Sequence, residues 1–238
     1  MSLFIIIQAR MTSTRLFGKV MLPLCGKTVL EVMLKRVKAF KPNIIIATTN
    51  DGTQKPIVEL CKALHVNYYE GDTNDVLSRY YESAVHFGAK SGDTIVRLTS
   101  DCPLMDGEII KKIVDFYNEN SFEFVSNCVR RTYPRGMDCE TFSFNSLKMA
   151  FLNATTPFEK EHVTPYIRAH NHLGSVEDSE DFSKYRLTLD EDADYKAIKE
   201  LYNLFNNQVD FNYNELKKML TNHSEIYEIN KHIEQKKR

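Results

Sequence analysis

Three short stretches hold most of the side chains capable of phosphate chemistry. "QARMTSTRLFGKV", Gln8 to Val20, follows directly on the apolar run Leu3 to Ile7 and sets Arg10, Arg15 and Lys19 within ten residues. "VRLTSDCPLMD" leads an apolar run into Thr99, Asp101 and Asp106, and "RLTLDEDADY" leads another into Asp190. Cations clustered on a loop, with backbone N–H groups beside them, suit several phosphates at once. A carboxylate leaving a strand next to such a loop suits Mg²⁺, a hard cation held by one or two carboxylates together with substrate phosphates. The three loop cations of an otherwise neutral protein fit a triphosphate.

Each stretch also has an ordinary structural reading. Loop cations commonly pair with surface carboxylates. Asp106 precedes a helix with Glu108 near its start, so N-capping is its expected job, and Asp190, taken alone, reads as an N-cap followed by Glu191 and Asp192. Other nucleotide motifs fail. A dinucleotide fingerprint needs G-x-G-x-x-G, and this turn has only Gly18 before Gly26. "CGKT" resembles the end of a Walker A loop, but Met21 stands five residues before Gly26, where that loop needs glycine.

The elements that must position these residues follow a βα rhythm. Leu3–Ile7, Ile44–Ala47, Val66–Tyr69, Thr94–Leu98 and Phe122–Ser126 read as strands, and the short β-branched runs among them imply burial on both faces. Between them Val29–Phe40, Gln54–Leu64, Asp75–Phe87 and Gly107–Tyr117 have helical spacing. Such alternation predicts an α/β domain on a mostly parallel, doubly wound sheet, with ligands outside the carboxyl ends of the strands. After Asn127 the rhythm changes. Ser146–Ala154 and Glu159–His170 read as two helices of an insertion, with a last strand near Tyr185–Leu189, a helix over Asp192–Phe205 and an amphipathic tail from Asn212. We expect a single domain, with residues 1–127 as core, 128–175 as inserted segment, 176–211 as return to the core and 212–238 as tail.

Composition excludes several classes. The 238 residues carry 31 basic and 32 acidic side chains, a net charge of −1, so no bulk field favours nucleic acid or an anionic membrane. From Met1 to Lys41, however, Glu31 is the only acid among the cations, which allows a local anion site. Five cysteines without a CxxC argue against a disulfide framework or a zinc ribbon. No apolar run approaches the ~18 residues of a membrane span. A cytoplasmic protein with no membrane or nucleic-acid partner is expected.

"IIIQARMTSTRLFGKVMLPLCGKTVLE", "GDTNDVLSRYY", "VRLTSDCPLMD", "RTYPRGMDCETFS", "EKEHVTPYI" and "RLTLDEDADY" resemble, in order, the cytidylyltransferase family of spore-coat polysaccharide biosynthesis proteins. That family is related to the CMP-sialic acid and CMP-Kdo synthetases. The resemblance covers about Leu3 to Phe205 and implies a GT-A-like, Rossmann-like nucleotidyltransferase fold. It implies transfer of CMP from CTP to a sugar-derived acceptor, with Mg²⁺ as cofactor, loss of pyrophosphate and a homodimer formed through the insertion. By residue, it implies nucleotide contacts from Gln8, Ala9, Arg10, Ser13, Arg15 and Lys19, a base-proximal Thr99, and metal binding by Asp101 and Asp190. Arg10, Lys19 and Asp101 would carry the catalysis. Asp75 and Arg79 match a motif near the nucleotide, though an i,i+4 helix pair explains them as well. Arg131, Tyr133, Asp138, Glu140, Glu161 and His162 match positions near the acceptor. The acceptor itself, and the base preference apart from the resemblance, stay open.

Rival readings are a nucleotidyltransferase for another triphosphate, a glycosyltransferase of the same fold, and a non-catalytic nucleotide-binding module. Glycosyltransferases of this fold usually carry D-x-D, whereas Asp101 is followed here by Cys102 and Pro103. A non-catalytic module has no need of both aspartates and all three loop cations. Two positions depart from the family pattern: Phe17 where proline is usual, and Ser100 where glycine is usual. Phe17 should leave the loop freer, and Ser100 requires a negative φ.

Overall fold

The computed structural model describes residues 1–234. Its centre is a seven-stranded sheet built from β1 (Leu3–Gln8), β2 (Ile44–Thr49), β3 (Asn67–Gly71), β4 (Thr94–Thr99), β5 (Phe124–Ser126), β6 (Glu140–Ser143) and β7 (Leu173–Ser175), in the spatial order β3-β2-β1-β4-β6-β5-β7. Only the contacts of β6 with β4 and β5 are antiparallel; the other pairs are parallel.

Alternation along the strands builds the layers. Ile5 and Ile7 of β1 face one side, where they join α1 (Val29–Arg36), α2 (Lys55–Leu64) and α4 (Gly107–Glu119) in the larger core. Ile6 faces the other side with Ile45 and Ile95, against α3 (Val76–His86), α5 (Phe144–Asn153) and α7 (Pro165–His170). Successive Cβ atoms point to opposite faces, so a continuous isoleucine run needs cover on both. Each fully buried isoleucine contributes about 1.5–3 kcal/mol through removal from water. Two further helices, α8 (Asp192–Leu204) and α9 (Tyr213–Asn222), extend the larger core, and α10 (Glu225–Asn230) packs on α8. Among the described residues no helix is long and apolar enough to cross a membrane, and the cysteines are free thiols.

Several expectations from sequence need correction. The helix over Val29–Phe40 stops at Arg36, and a 3₁₀ segment spans Lys38–Asn43 ahead of β2. Glu159–His170 is not one helix but α6 (Pro157–His162) followed by α7, because Pro165 cannot continue a helix and Val163 takes φ 68°. Tyr185–Leu189 is not a strand. It runs beside Arg135, whose N–H donates to the Tyr185 carbonyl and whose carbonyl accepts from Leu187 N–H, with a single isolated bridge at Arg186. Gly136 permits that contact: it has φ +98°, and a Cβ there would lie 2.4 Å from the Leu187 carbonyl carbon. Strands β6 and β7 were not anticipated. β6 enters the sheet between β4 and β5, so the inserted segment is woven into the sheet rather than hung on its edge.

Candidate active site

β1 leads by way of α1 to β2 and β3 on one side, and the chain then returns to the opposite side of β1 as β4. The connections leaving β1 and β4 therefore diverge and open a crevice at their carboxyl ends. Gln8 and Thr99 are register partners there, and Ser100 N–H donates to the Gln8 carbonyl at 3.1 Å. The long loop after β1 folds back on itself through Gly18, whose N–H donates to the Met11 carbonyl at 2.8 Å and whose φ of +66° favours glycine. One 3₁₀ turn, Lys19–Met21, starts at this point and buries Lys19.

The side chain of Lys19 joins the two aspartates. Its Nζ donates to Asp101 Oδ2 at 2.8 Å and to Asp190 Oδ1 at 2.9 Å. Arg15 lies 3.2 Å from Asp190 and 3.0 Å from Glu191. Asp190 reaches Asp101 because Leu189 N–H donates to the Asp101 carbonyl at 2.8 Å, tying two distant parts of the chain together. Burial opposes the charge on Lys19, but the two carboxylates raise its pKa above the ordinary lysine value. Burial likewise opposes the charge on Asp190, and Lys19 with Arg15 still holds its carboxyl below the usual range. Asp190 does not follow the alternative reading of its position as a helix cap, and Ser100 meets the backbone requirement expected of it. Glu191 is the N-cap residue of α8, leaving Asp190 directed to the crevice, and Ser100 is not among the residues with positive φ. Asp106 does cap α4, accepting from Glu108 N–H at 2.8 Å.

Around this pair lies a cleft of about 320 Å³. The structure brings Gln8, Ala9, Arg10, Ser13, Arg15, Lys19, Arg79, Thr99, Asp101, Glu161, His162 and Asp190 to its lining. Arg79, almost wholly buried, turns its guanidinium to the carbonyls of Asp72 and Thr73. Asp75 is not in the lining. It caps α3, accepting from Ser78 N–H at 2.8 Å, and faces Lys160 at 3.3 Å, so neither the nucleotide contact expected of Asp75 nor the alternative pairing with Arg79 describes its contacts. Among the described residues Gln8 Oε1, Arg79 Nε and Arg97 Nε have no hydrogen-bond partner, and their residues all line the cleft. Such atoms are ones a polar ligand would satisfy.

The segment expected to hold the acceptor is only partly at the cleft. Arg131 makes a two-pronged contact with Asp138, at 2.6 and 2.8 Å, and Asp138 lines a side pocket that shares Arg97 and Thr99 with the cleft. Tyr133 does not reach the cleft: it is buried against Tyr213 and its hydroxyl accepts from Lys112 Nζ at 3.0 Å. Glu140 lies beneath the lining, where its register partner Arg97 donates to it at 2.5 Å and Thr164 Oγ1 donates at 3.2 Å. Glu161 and His162 arrive at the end of α6. Val163 then makes a tight γ-turn, with φ 68°, ψ −52° and a 2.8 Å bond from Thr164 N–H to the His162 carbonyl. A β-branched residue held there stores on the order of 1–3 kcal/mol of strain. The turn sets His162 toward the cleft and Thr164 on Glu140. Sequence reasoning missed Arg97, whose signal was a single cation inside the apolar run Ile95–Leu98.

A family model described as Cytidylyltransferase matches residues 4–233. The chain belongs to the cytidylyltransferase family. It is similar to a cytidylyltransferase structure from Leptospira borgpetersenii, with a TM-score of 0.91 and 35% identity, covering 99% of this chain and 100% of that one. Spore coat polysaccharide biosynthesis protein SpsF of Bacillus subtilis is 33% identical, over 89% of this chain and 90% of its own. A structure of CMP:2-keto-3-deoxy-manno-octonic acid synthetase complexed with CTP shares the fold, with a TM-score of 0.65 and 14% identity, covering 86% of this chain and 100% of that one.

In this cytidylyltransferase-family chain, the donors at the crevice fit a hard divalent cation. Two carboxylates, Asp101 and Asp190, already converge on one ammonium group. A protein contribution of two carboxylates matches a cation that draws its remaining ligands from phosphate and water.

Proposed function

We propose that this protein transfers the cytidylyl group of CTP to a hydroxyl of a sugar-derived acceptor and releases pyrophosphate, in the biosynthesis of a surface polysaccharide or glycoconjugate. The observation that carries this reading is the convergence of Arg15, Lys19, Asp101 and Asp190 at the switch point of a cytidylyltransferase-family sheet. The similarity to SpsF supports the polysaccharide context.

In the reaction the acceptor hydroxyl gives its proton to solvent as its oxygen bonds to the α-phosphorus, while the bond from that phosphorus to the β-bridging oxygen breaks and pyrophosphate leaves with the electron pair. Such chemistry rests on positioning and charge stabilisation and needs no side-chain nucleophile. Asp101 and Asp190 would hold Mg²⁺, which when bound supplies Lewis-acid polarisation of phosphate oxygens. Lys19 and Arg15, exchanging carboxylate partners for phosphate, neutralise the charge growing on the leaving group together with Arg10. Gln8, Ala9, Ser13, Arg79 and Thr99 hold the nucleotide, and Glu161 and His162 face the acceptor. We assign a homodimer to the same reading: Met149, Leu152 and Phe158 expose large apolar side chains on α5 and α6. Light scattering at micromolar concentration tests it, with a monomer mass counting against it.

The decisive experiment measures pyrophosphate release with Mg²⁺, crossing four nucleoside triphosphates against acidic and neutral sugars. Release with CTP and one acceptor class is expected. No release with any pair, together with no thermal shift from any triphosphate, rejects the reading.

A further inference from the structure

The C-terminal tail reaches back to the crevice through one side chain. Asn230, at the end of α10, is only 2% exposed, and a buried amide needs partners. Its Nδ2 donates to the Arg186 carbonyl at 2.8 Å and to Asp194 Oδ1 at 2.9 Å, using both of its hydrogens. Asp194, fully buried, also accepts from Arg186 Nε at 2.9 Å and Arg186 Nη2 at 3.1 Å. The Asp194 Oδ2 atom accepts from the backbone N–H groups of Asp190 at 3.0 Å and Glu191 at 3.1 Å. Arg186 Nη2 in turn donates to Asp190 Oδ2 at 2.9 Å.

Asp190 is therefore gripped twice, by its backbone through Asp194 and by one carboxylate oxygen through Arg186, so that Oδ1 is the oxygen directed to Lys19 and Arg15. We propose that Asn230 is a positioning residue for Asp190, fixing the Arg186–Asp194 pair that aims its carboxylate into the crevice. Without the amide, Asp194 Oδ1 loses a donor and the Arg186 carbonyl loses its side-chain partner, both in a buried setting where networks fail as units. Groups that touch a metal-binding aspartate directly, as Arg186 and Asp194 do, change metal affinity or activity about 10- to 100-fold when removed, and Asn230 stands one step behind them. The inference rests on the reading of Asp190 as a metal ligand.

Mn²⁺ binding to the full chain in the presence of CTP, without acceptor, tests it by calorimetry or electron paramagnetic resonance. Asn230→Ala and Asn230→Leu should weaken Mn²⁺ binding about 10-fold, the lower end of that range; leucine keeps the branched shape and removes both donors, so it carries the test if alanine fails to fold. Ile226→Val, which thins the apolar contact of the same helix, should leave Mn²⁺ affinity unchanged. Wild-type affinity in the folded Asn230 variants, or an equal loss in Ile226→Val, overturns the proposal. Asp190→Asn separates the levels. If it binds Mn²⁺ as well as wild type, the ligand reading fails and the proposal with it; if it loses binding while the Asn230 variants keep it, the proposal alone fails.

Discussion

At the loop end of the cleft Lys19 shares its ammonium between Asp101 and Asp190, and Asp190 is in turn shared with Arg15 and Arg186. At the insertion end Arg97 faces one carboxylate, Glu140, at 2.5 Å, beneath Tyr80 and with both side chains under 10% exposed. A carboxylate with several cations tolerates the loss of one, and its partners can be exchanged for a ligand. A buried carboxylate with a single cation cannot give it up without being left charged and alone. Charge at the first place is available for chemistry, whereas charge at the second holds the inserted strand β6 to β4.

Stability and turnover should respond differently at the two ends. The largest effect is expected for Arg97→Met, which strands Glu140 and should cost about 3–5 kcal/mol in urea unfolding, while Arg97→Met with Glu140→Leu should regain most of it. A single variant as stable as wild type would erase the distinction. Lys19→Ala should reverse the pattern, lowering turnover at saturating CTP and acceptor by about 10²–10³ while the unfolding midpoint moves little, because Asp190 keeps Arg15 and Arg186.

A smaller effect is expected in acid. The carboxyl of Asp190 is held below its usual range, so its contribution is present above the unfolded-state pKa and fades as pH falls through the folded one. Asp190→Asn should flatten the stability profile below about pH 4, seen in denaturant melts across that range. Smallest is Phe17→Pro. Phe17 is 67% exposed on the loop and its φ is not positive, so proline should stiffen the ligand-free loop by about 0.4–1 kcal/mol and tighten CTP binding a few-fold. Titration calorimetry reads this directly, and weaker binding would show that the loop needs its freedom.

The same contrast governs what could be read from sequence. Loop cations and Asp101 are legible because polar residues directly after parallel strands have one place to go, the carboxyl edge of the sheet. Asp190 needs the resemblance, since its local pattern is that of a helix cap and the contacts that turn it inward, from Leu189 to the Asp101 carbonyl and from Arg186 and Asp194, are set by the fold. Arg97 and Glu140 were not legible as a pair, because their meeting depends on the antiparallel register of β6, set by residues far apart in the chain. Tyr133 shows the limit of a motif: closeness to Asp138 in sequence does not decide which side of the sheet a side chain faces. Val163 is opaque for a similar reason, since valine carries no local signal for positive φ and only surrounding packing imposes it.

The bond from Leu189 to the Asp101 carbonyl, with the Gly136 crossing beside it, has a consequence for how such a protein can change over time. Both seams fasten the returning chain before it delivers Asp190, so the distance between the aspartates is set by the seams and not by the length of chain between them. Exposed loops between Asn153 and Lys184 can then change length without moving the carboxylates, as long as β6 keeps its place beside β4. The surroundings of the cleft can vary by lengthening a loop, while the spacing of the two aspartates is kept.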